Sequence, residues 1–341
     1  MPLGWASLCL LRSVYHIFAG GGETSVRGAP AYSAEICLAP RRGFHYNGHK
    51  TTWRQEGRTI NELWSRQIQG VQTLYGSRRL RFQDCFQAQW TACLGLPARP
   101  GLRILEIGCG PGALAQALHR WYPDAALVGL DRDSRFIDFA RRQVPGVTFL
   151  EGDAAALPFA DGSFDVTISY TVSEHIAPEP FYREQRRVLR PGGLCLVLSC
   201  RRSITCPADC LAETETEAAF WQHVQGDDPL RAWGVGRYWQ DERQMPLTME
   251  QAGFTGVSTG YVVIPLTPDD PACPRATAQA ILDAEQACTE EAVLSTGRED
   301  TAPVLEAVRA KYGRRRRLLE AGCRQWDTYT TVNLVLRGVR P

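Results

Sequence analysis

Three glycines and three acidic side chains have the spacing that most clearly indicates chemistry in this chain. Gly108, Gly110 and Gly112 directly follow the apolar run 104–107 and directly precede an Ala- and Leu-rich segment with helical spacing. A strand, a glycine turn and a helix in that order place free backbone N–H groups at a helix N-terminus, where they can face a ligand. Glycine suits such a turn because a Cβ would obstruct the ligand and disfavour a positive φ.

The acidic residues lie where predicted strands end. Glu106 belongs to the strand before the glycines, where an unpaired buried carboxylate would be costly. Asp131 ends a second apolar run, 125–130, and a carboxylate at such a strand tip can accept hydrogen bonds from both hydroxyls of a ribose. Asp153 follows a third short run, 147–150. The pattern predicts a nucleotide-type ligand, although the glycine spacing also fits the dinucleotide-binding fingerprint.

Further elements follow from periodicity and turn residues. We expect two helices before the first strand, one with apolar residues from Ile60 to Val71 and one from Phe82 to Leu94. Later in the chain the pattern predicts strands over 164–169, 194–199, 257–264 and 328–336, a helix over 181–190 and a helical region over 276–325.

Four motifs now carry a family resemblance. LEIGCGPG, GLDRD, EGDAAALPFADGSFDVTIS and VLRPGG, in this order, resemble the motif set of the Rossmann-like S-adenosylmethionine-dependent methyltransferases over about residues 103–200. The resemblance implies an α/β fold: a seven-stranded, mostly parallel sheet with helices on both faces, an antiparallel last strand and helical insertions that form a cap. It also implies S-adenosyl-L-methionine as cofactor and methyl transfer to a small-molecule acceptor.

The resemblance transfers to individual positions of this sequence. From the N-terminal helical segment it implies that Tyr75 and one of Arg78, Arg79 or Arg81 reach the methionine end of the cofactor; Arg81 is the arginine we assign. The other cofactor-binding residues that it implies are Glu106, Gly108, Cys109, Gly110, Gly112, Asp131, Arg132, Asp153, Ala154 and Ser169.

The segment after the fourth predicted strand is the expected place of reaction. An open α/β sheet has its reaction crevice at the carboxyl ends of central strands, and Tyr170, Glu174 and His175 follow such a strand. His175 could take a proton from an attacking oxygen or nitrogen, since its ordinary pKa lies near neutral pH. The alternative is a histidine that anchors the loop, because methyl transfer to a good nucleophile needs alignment more than proton removal.

An insertion over about residues 201–246 is rich in aromatic residues. Together with a second insertion, 268–326, it would cover the carboxyl edge of the sheet, and we expect Trp221 and Trp239 to line an apolar acceptor pocket with Tyr170 and Glu174. The alternative is that these aromatics form the core of a helical cap.

Domain organisation follows from these elements. Residues 57–100 form the predicted helical lid, and residues 101–341 the methyltransferase domain with its two insertions. Residues 1–56 are expected to be a poorly ordered or accessory extension, with an organelle transit peptide as the alternative because arginines are frequent and acids few.

Composition excludes several classes of protein. The 341 residues carry a formal net charge of +1, with 44% hydrophobic and 22% charged residues, which gives no indication of a nucleic-acid or membrane partner. Twelve cysteines are scattered without a CxxC pair or zinc spacing, which predicts reduced thiols, no metal site and a cytoplasmic location. No apolar run of eighteen residues is present, so we expect no transmembrane helix.

Two further alternatives remain open. An arsenite methyltransferase would use thiolates, and Cys206 and Cys210 could share a helix face, but Thr171 stands where that family has a cysteine. A non-catalytic sensor or assembly protein would keep the same cofactor-binding residues. A nicotinamide oxidoreductase is disfavoured because the segment after Asp153 has no role in that fold. Neither the acceptor atom nor the oligomeric state follows from the sequence.

Overall fold

The computed structural model describes residues 64–224 and 235–341. The predicted N-terminal extension and residues 57–63 of the predicted lid lie outside these ranges. Within them, seven strands form one sheet in the order β3-β2-β1-β4-β5-β7-β6. The strands are β1 (Arg103–Ile107), β2 (Ala126–Asp131), β3 (Thr148–Glu151), β4 (Phe164–Tyr170), β5 (Leu189–Cys206), β6 (Thr255–Ile264) and β7 (Thr328–Val339).

The sheet has the predicted seven-stranded topology. Strands β1 to β5 pair in parallel, whereas β7 runs antiparallel to both of its neighbours, β5 and β6. The strand order reverses between β1 and β4, because β1 pairs with β2 on one side and with β4 on the other. A crevice outside the carboxyl ends of β1 and β4 follows from that reversal.

Helices cover both faces of the sheet. One core joins Ile104 of β1 to Trp90, Leu118 and Ile137, and a second core on the other face joins Leu105 to residues that include Phe181 and Met249. The alternation of side chains along β1 puts Glu106 on the same face as Ile104. The helices that the structure describes are α1 (Val71–Arg79), α2 (Gln87–Leu94), α3 (Ala113–Trp121), α4 (Ser134–Gln143), α5 (Pro178–Val188), α6 (Glu215–Gln222), α7 (Gln244–Gln251), α8 (Arg275–Leu294) and α9 (Ala302–Glu320).

The lid differs from the predicted helix pair. Tyr75 was expected between two helices, but it lies within α1. The second predicted helix, from Phe82 onward, begins only at Gln87, because Gln83 is extended between two short 3₁₀ turns. Phe82 packs against Trp90 with a centroid distance of 5.1 Å. This packing explains why Phe82 is apolar at a helical spacing from Trp90 although it lies outside the helix.

The insertions begin and divide at other places than the sequence predicts. Strand β5 extends to Cys206 and stays paired with β7 as far as Thr328, so the first six residues of the predicted 201–246 insertion belong to the sheet. Cys206 ends this strand and Cys210 lies in a 3₁₀ turn, so the two thiols do not share a helix face. The predicted helical region 276–325 is two helices, α8 and α9.

Helices α6, α8 and α9 pack together, and we call them the cap. Phe220 and Trp221 of α6 form a small apolar core with Val293 of α8 and Val304 of α9. Lys311 of α9 is also buried there and pairs with a carboxylate of α6. None of the helices in the described ranges is both long enough and apolar enough to cross a membrane.

Candidate functional site

The glycine turn joins β1 to α3 in left-handed backbone. Gly108, Gly110 and Gly112 have φ values of +66°, +51° and +86°. A Cβ on Gly108 would collide with Val172, and one on Gly112 would lie 3.1 Å from the Cβ of Ala140, so neighbouring packing requires both glycines. A Cβ on Gly110 would meet nothing closer than Leu74, at 3.6 Å. Gly110 is therefore the glycine that leaves room for a ligand.

Asp131 is tied to this turn. Its Oδ2 accepts the backbone N–H of Gly110 at 2.8 Å, and its Oδ1 accepts that of Asp133 at 2.9 Å. Burial raises the pKa of the Asp131 carboxyl above its usual range. Each carboxylate oxygen has a further lone pair, so Asp131 can still accept hydrogen bonds from a ligand.

Glu106 has an unused acceptor. The side chain is only 2% exposed, and its Oε2 is buried without a hydrogen-bond partner among the described residues. Burial, and after it the negative charge of Asp131, raise the pKa of the Glu106 carboxyl well above its usual range. A buried polar atom without a partner is rare in folded proteins, so this oxygen indicates that a hydrogen-bond donor from a ligand belongs beside it.

The turn and the carboxylates open onto one cavity at the carboxyl ends of β1, β2 and β4. The space free of protein atoms there is about 990 Å³, and part of it is open to solvent. The predicted site residues that line it are Glu106, Gly108, Cys109, Gly110, Asp131, Arg132, Asp153, Ala154, Tyr170 and His175. These residues come from four separate parts of the sequence, which the fold brings together.

Two of the predicted cofactor residues lie behind the wall of this cavity. Gly112 begins α3 and packs against α4, as described above. Ser169 is fully buried in β4, and its Oγ has no hydrogen-bond partner among the described residues. Asp153, by contrast, lies in the wall, where its Oδ1 also accepts the N–H of Ala155 at 2.8 Å.

The lid residues are arranged differently from expectation. Tyr75 does not line the cavity: its hydroxyl donates to Gln116 at 2.9 Å. Arg81 is also absent from the wall, because its Nη1 donates to the Tyr170 hydroxyl at 2.9 Å within the core. Arg78 lines the cavity instead, with its guanidinium carbon 4.9 Å from the centre of the Tyr170 ring. Its position on α1 therefore gives Arg78 the access that we expected of Arg81.

His175 closes one side of the cavity. Its ring meets Trp64 edge-on, with 4.7 Å between centroids. Its Nδ1 accepts the backbone N–H of Gly236 at 3.0 Å. Burial, followed by the charges of Arg132 and Arg78, lowers the pKa of His175 to about 3. The imidazole is therefore uncharged at neutral pH, and this low pKa disfavours the predicted role as a base.

Glu174 and the two tryptophans lie outside the wall of the cavity. Glu174 is buried, and its backbone oxygen accepts the N–H of Tyr238 at 2.9 Å. Trp221 belongs to the apolar core of the cap. Trp239 packs against Arg201, whose guanidinium carbon is 5.1 Å from the ring centre. We expected these three side chains to line the acceptor pocket. They do not line this cavity, because they pack within the cap or against neighbouring loops instead.

Sequence reasoning missed several residues of the wall. Trp64 is placed by its neighbour Ser65, whose backbone N–H and hydroxyl both donate to Asp133 at the start of α4. Phe136 of α4 also lines the cavity, and its place on an amphipathic helix gave no indication that it faces a ligand. Thr171 has a φ of +56°, a strained conformation that no local sequence pattern predicts.

Comparison with known proteins agrees with this geometry. Residues 105–197 match the family model described as Methyltransferase domain. A fatty-acid O-methyltransferase of Mycolicibacterium smegmatis is 37% identical over 135 residues, which are 38% of this chain and 44% of that protein. Phthiotriol/phenolphthiotriol dimycocerosates methyltransferase 1 of Mycobacterium ulcerans is 40% identical over 135 residues, 38% of this chain and 45% of that protein. The chain thus matches less than half the length of these relatives.

A solved structure aligns with much of the chain at low identity. Phosphoethanolamine N-methyltransferase 2 of Haemonchus contortus, in complex with S-adenosyl-L-methionine, is 16% identical with a TM-score of 0.47, over 84% of this chain and 61% of that chain. The family match and the names of the curated relatives agree on a methyltransferase domain over residues 105–197.

Proposed function

We propose that the chain is an S-adenosylmethionine-dependent methyltransferase that acts on a small molecule. The observation that carries the proposal is the cavity lined by Glu106, whose Oε2 has no partner among the described residues, by the Gly110 turn and by Asp131. S-adenosylmethionine is a cation with an amine, two ribose hydroxyls and an adenine amino group, all of which need acceptors. Three carboxylates along one wall supply them.

The assignment of each contact follows from that wall. Glu106 would accept from the amine and Asp131 from the ribose hydroxyls, whereas Asp153 would accept from the adenine edge. Arg78 takes the role first assigned to Arg81 and would bind the carboxylate of the methionine, since it lines the cavity with its guanidinium carbon 4.9 Å from the centre of the Tyr170 ring. Tyr75 would then support α1 through Gln116 without touching the cofactor.

The chemistry needs little from the protein beyond alignment. Bound S-adenosylmethionine supplies a methyl group made electrophilic by its sulfonium sulfur. The chain's residues hold the acceptor in line with that methyl and keep water away, which is the main source of rate in such a transfer. Apolar side chains such as Leu74, Phe82, Phe136 and Val172 line the same cavity and exclude water from it.

The names of the matched relatives fit a small-molecule acceptor. One is a fatty-acid O-methyltransferase and another a phthiotriol/phenolphthiotriol dimycocerosates methyltransferase. We assign the chain to the general class EC 2.1.1.- on this basis. We also propose a cytoplasmic location, supported by free cysteines throughout the described ranges.

Calorimetric titration tests the proposal directly. The wild-type protein should bind S-adenosylmethionine and S-adenosylhomocysteine in preference to NAD, and should release labelled methyl to a member of a panel of acids, phenols, amines and thiols. Asp131→Ala should weaken binding by about tenfold or more, the scale of a lost charge-assisted hydrogen bond. The matched control is Asp138→Ala, an exposed aspartate of α4 that pairs with Arg141. Equal affinities of the two variants, or a preference for NAD, would refute the assignment; binding without transfer to any acceptor would indicate a sensor.

A further inference from the structure

The tautomer of His175 is fixed by its surroundings. The Nδ1 atom accepts a hydrogen bond from the N–H of Gly236 at 3.0 Å. A nitrogen that accepts a hydrogen bond carries no proton, so the neutral ring has its hydrogen on Nε2. That Nε2 is buried and has no hydrogen-bond partner among the described residues. His175 lines the cavity, and its ring therefore holds one N–H donor that the described residues leave unused.

The surroundings of the ring also keep it neutral. Trp64 packs against it, and the nearby charged groups are Arg132, Arg78 and the buried Glu174. A protonated imidazole would need a partner for a second N–H, but the N–H of Gly236 already points at Nδ1. An imidazole held in this way can donate from Nε2 and has no free nitrogen to take up a proton.

We propose that His175 is a fixed hydrogen-bond donor to the methyl acceptor, and that the acceptor is an oxyanion, above all a carboxylate, which needs no base. The proposal rests on the proposed function and specifies its substrate class. His175 acts here on the substrate itself, so it is a catalytic residue without being a base.

Lone pairs explain the choice of acceptor. An amine has one lone pair, and donation from Nε2 would occupy the electrons that must attack the methyl group. A carboxylate has about four acceptor positions on two oxygens, so it can accept from His175 and still attack. One of its lone pairs forms the new C–O bond while the C–S bond breaks and its electrons go to sulfur. The products are a methyl ester and neutral S-adenosylhomocysteine, and no proton is transferred.

The remaining acids of the wall do not supply a base for a neutral acceptor. Glu106, Asp131 and Asp153 are assigned above to the cofactor. Glu174 is the alternative base: its Oε1 is buried without a hydrogen-bond partner among the described residues, and its Oε2 accepts from Ser173. Glu174, however, does not line the cavity, whereas its neighbour His175 does.

The first test measures the protonation state of the His175 ring nitrogens and does not depend on enzyme activity. Two-bond ¹H–¹⁵N correlation spectra of the protein, with the His175 signals identified by their loss in His175→Gln, report the state of each nitrogen. We expect a pyrrole-type Nε2 and a pyridine-type Nδ1, with no titration between pH 5.5 and pH 8. A ring that titrates near pH 6.5, or one protonated on Nδ1, would overturn the proposal.

The second test compares acceptors of matched shape. Octanoate, octanol and octylamine, and benzoate, benzyl alcohol and benzylamine, are assayed with labelled S-adenosylmethionine, and their binding to the complex with S-adenosylhomocysteine is measured by calorimetry. We expect transfer to, and binding of, the acids only, with kcat/KM independent of pH between 6 and 9. Faster transfer to an amine or alcohol than to its matching acid would overturn the proposal.

Variants separate donation from other roles. His175→Phe should reduce kcat/KM and acid affinity by about 10- to 100-fold, the scale of a hydrogen bond to a charged group. His175→Gln, which retains a donor near the Nε2 position, should recover most of that loss, and both variants should bind S-adenosylhomocysteine like the wild type. An equal loss of kcat/KM in His175→Phe and His175→Gln would refute donation. A wild-type rate that depends on pH, with the dependence removed by Glu174→Gln, would also refute it, because Glu174 would then be a base. Absence of S-adenosylhomocysteine binding by the wild type would instead refute the proposed function.

Discussion

The glycine-turn side of the molecule and the cap are held together in different ways. On the glycine-turn side, backbone groups do most of the positioning: the N–H of Gly110 binds Asp131 at 2.8 Å, and the pairing of β1 with β2 places both. In the cap, buried charges must match. Lys311 meets Glu217 at 2.5 Å, and Arg315 is fully buried between two aspartates. Side-chain changes should therefore affect ligand binding in the first region and folding in the second.

Removal of Arg315 should have the largest effect. Its guanidinium binds Asp269 at 2.7 Å and Asp327 at 2.6 Å, and all three side chains are buried. Arg315→Met leaves two buried carboxylates without a cation, which typically costs about 3–5 kcal/mol. Urea denaturation should show this loss of unfolding free energy. The control Arg316→Met removes a pair with exposed Asp283 and should cost less than about 1 kcal/mol; similar losses in both variants would contradict the comparison.

Substitution of Gly110 should give the opposite result, a lost ligand in an intact fold. Gly110→Val puts a side chain into the cavity, so the affinity for S-adenosylhomocysteine should fall at least about 100-fold, or about 3 kcal/mol. Gly256→Val is the control, because Gly256 also has a positive φ, +58°, and has no atom near its Cβ position within 4 Å. Both variants should show a similar, small loss of thermal stability from backbone strain. Normal binding by Gly110→Val would show that the turn does not approach the ligand.

Neutralisation of Glu106 should have the smallest effect of the three substitutions, and it should change stability and cofactor binding in opposite directions. Burial raises the pKa of Glu106 in the folded protein, so ionisation opposes folding, and the wild type loses stability as the pH rises above about 4.3, the usual pKa of an unfolded glutamate. Glu106→Gln lacks that loss and should be more stable by about 1 kcal/mol at pH 7, with no difference below pH 4. It should nevertheless bind the cofactor more weakly.

Thermal denaturation across pH 3.5–8 checks the first part of that prediction, and titration at pH 7 checks the second. A variant that is less stable than the wild type at pH 7 would show that Glu106 has a structural partner. A variant with unchanged cofactor affinity would remove Glu106 from the site.

Local patterns were sufficient where function depends on contiguous residues. The glycine turn, Glu106 and Asp131 could be predicted because each follows a short apolar strand, and the strand order places their tips at one edge of the sheet. The reversal between β1 and β4 is a property of that order. The part of the cavity wall next to β1, β2 and β4 was therefore accessible from the sequence.

Residues whose roles depend on distant partners were not accessible. Nothing local distinguishes Arg78 from Arg81, and only the packing of Tyr170 against both assigns one to the cavity and the other to the core. Trp221 is buried because α8 and α9, far along the chain, pack on α6. The polar sequence 201–206 becomes a strand only because β7 pairs with it. In each case a tertiary contact decides what local propensity leaves open.

The position of β7 has a consequence for the order in which the molecule folds. The parallel strands join partners that are close in the sequence, such as Arg103 with Ala126, whereas β7 must bring Val339 beside Leu194 and separate β5 from β6. Closure of such long loops is entropically costly and slow. We expect the strands around the glycine turn to gain amide protection before β5, β6 and β7 in pulsed hydrogen exchange, so that a nascent cofactor site would form before the cap that completes it.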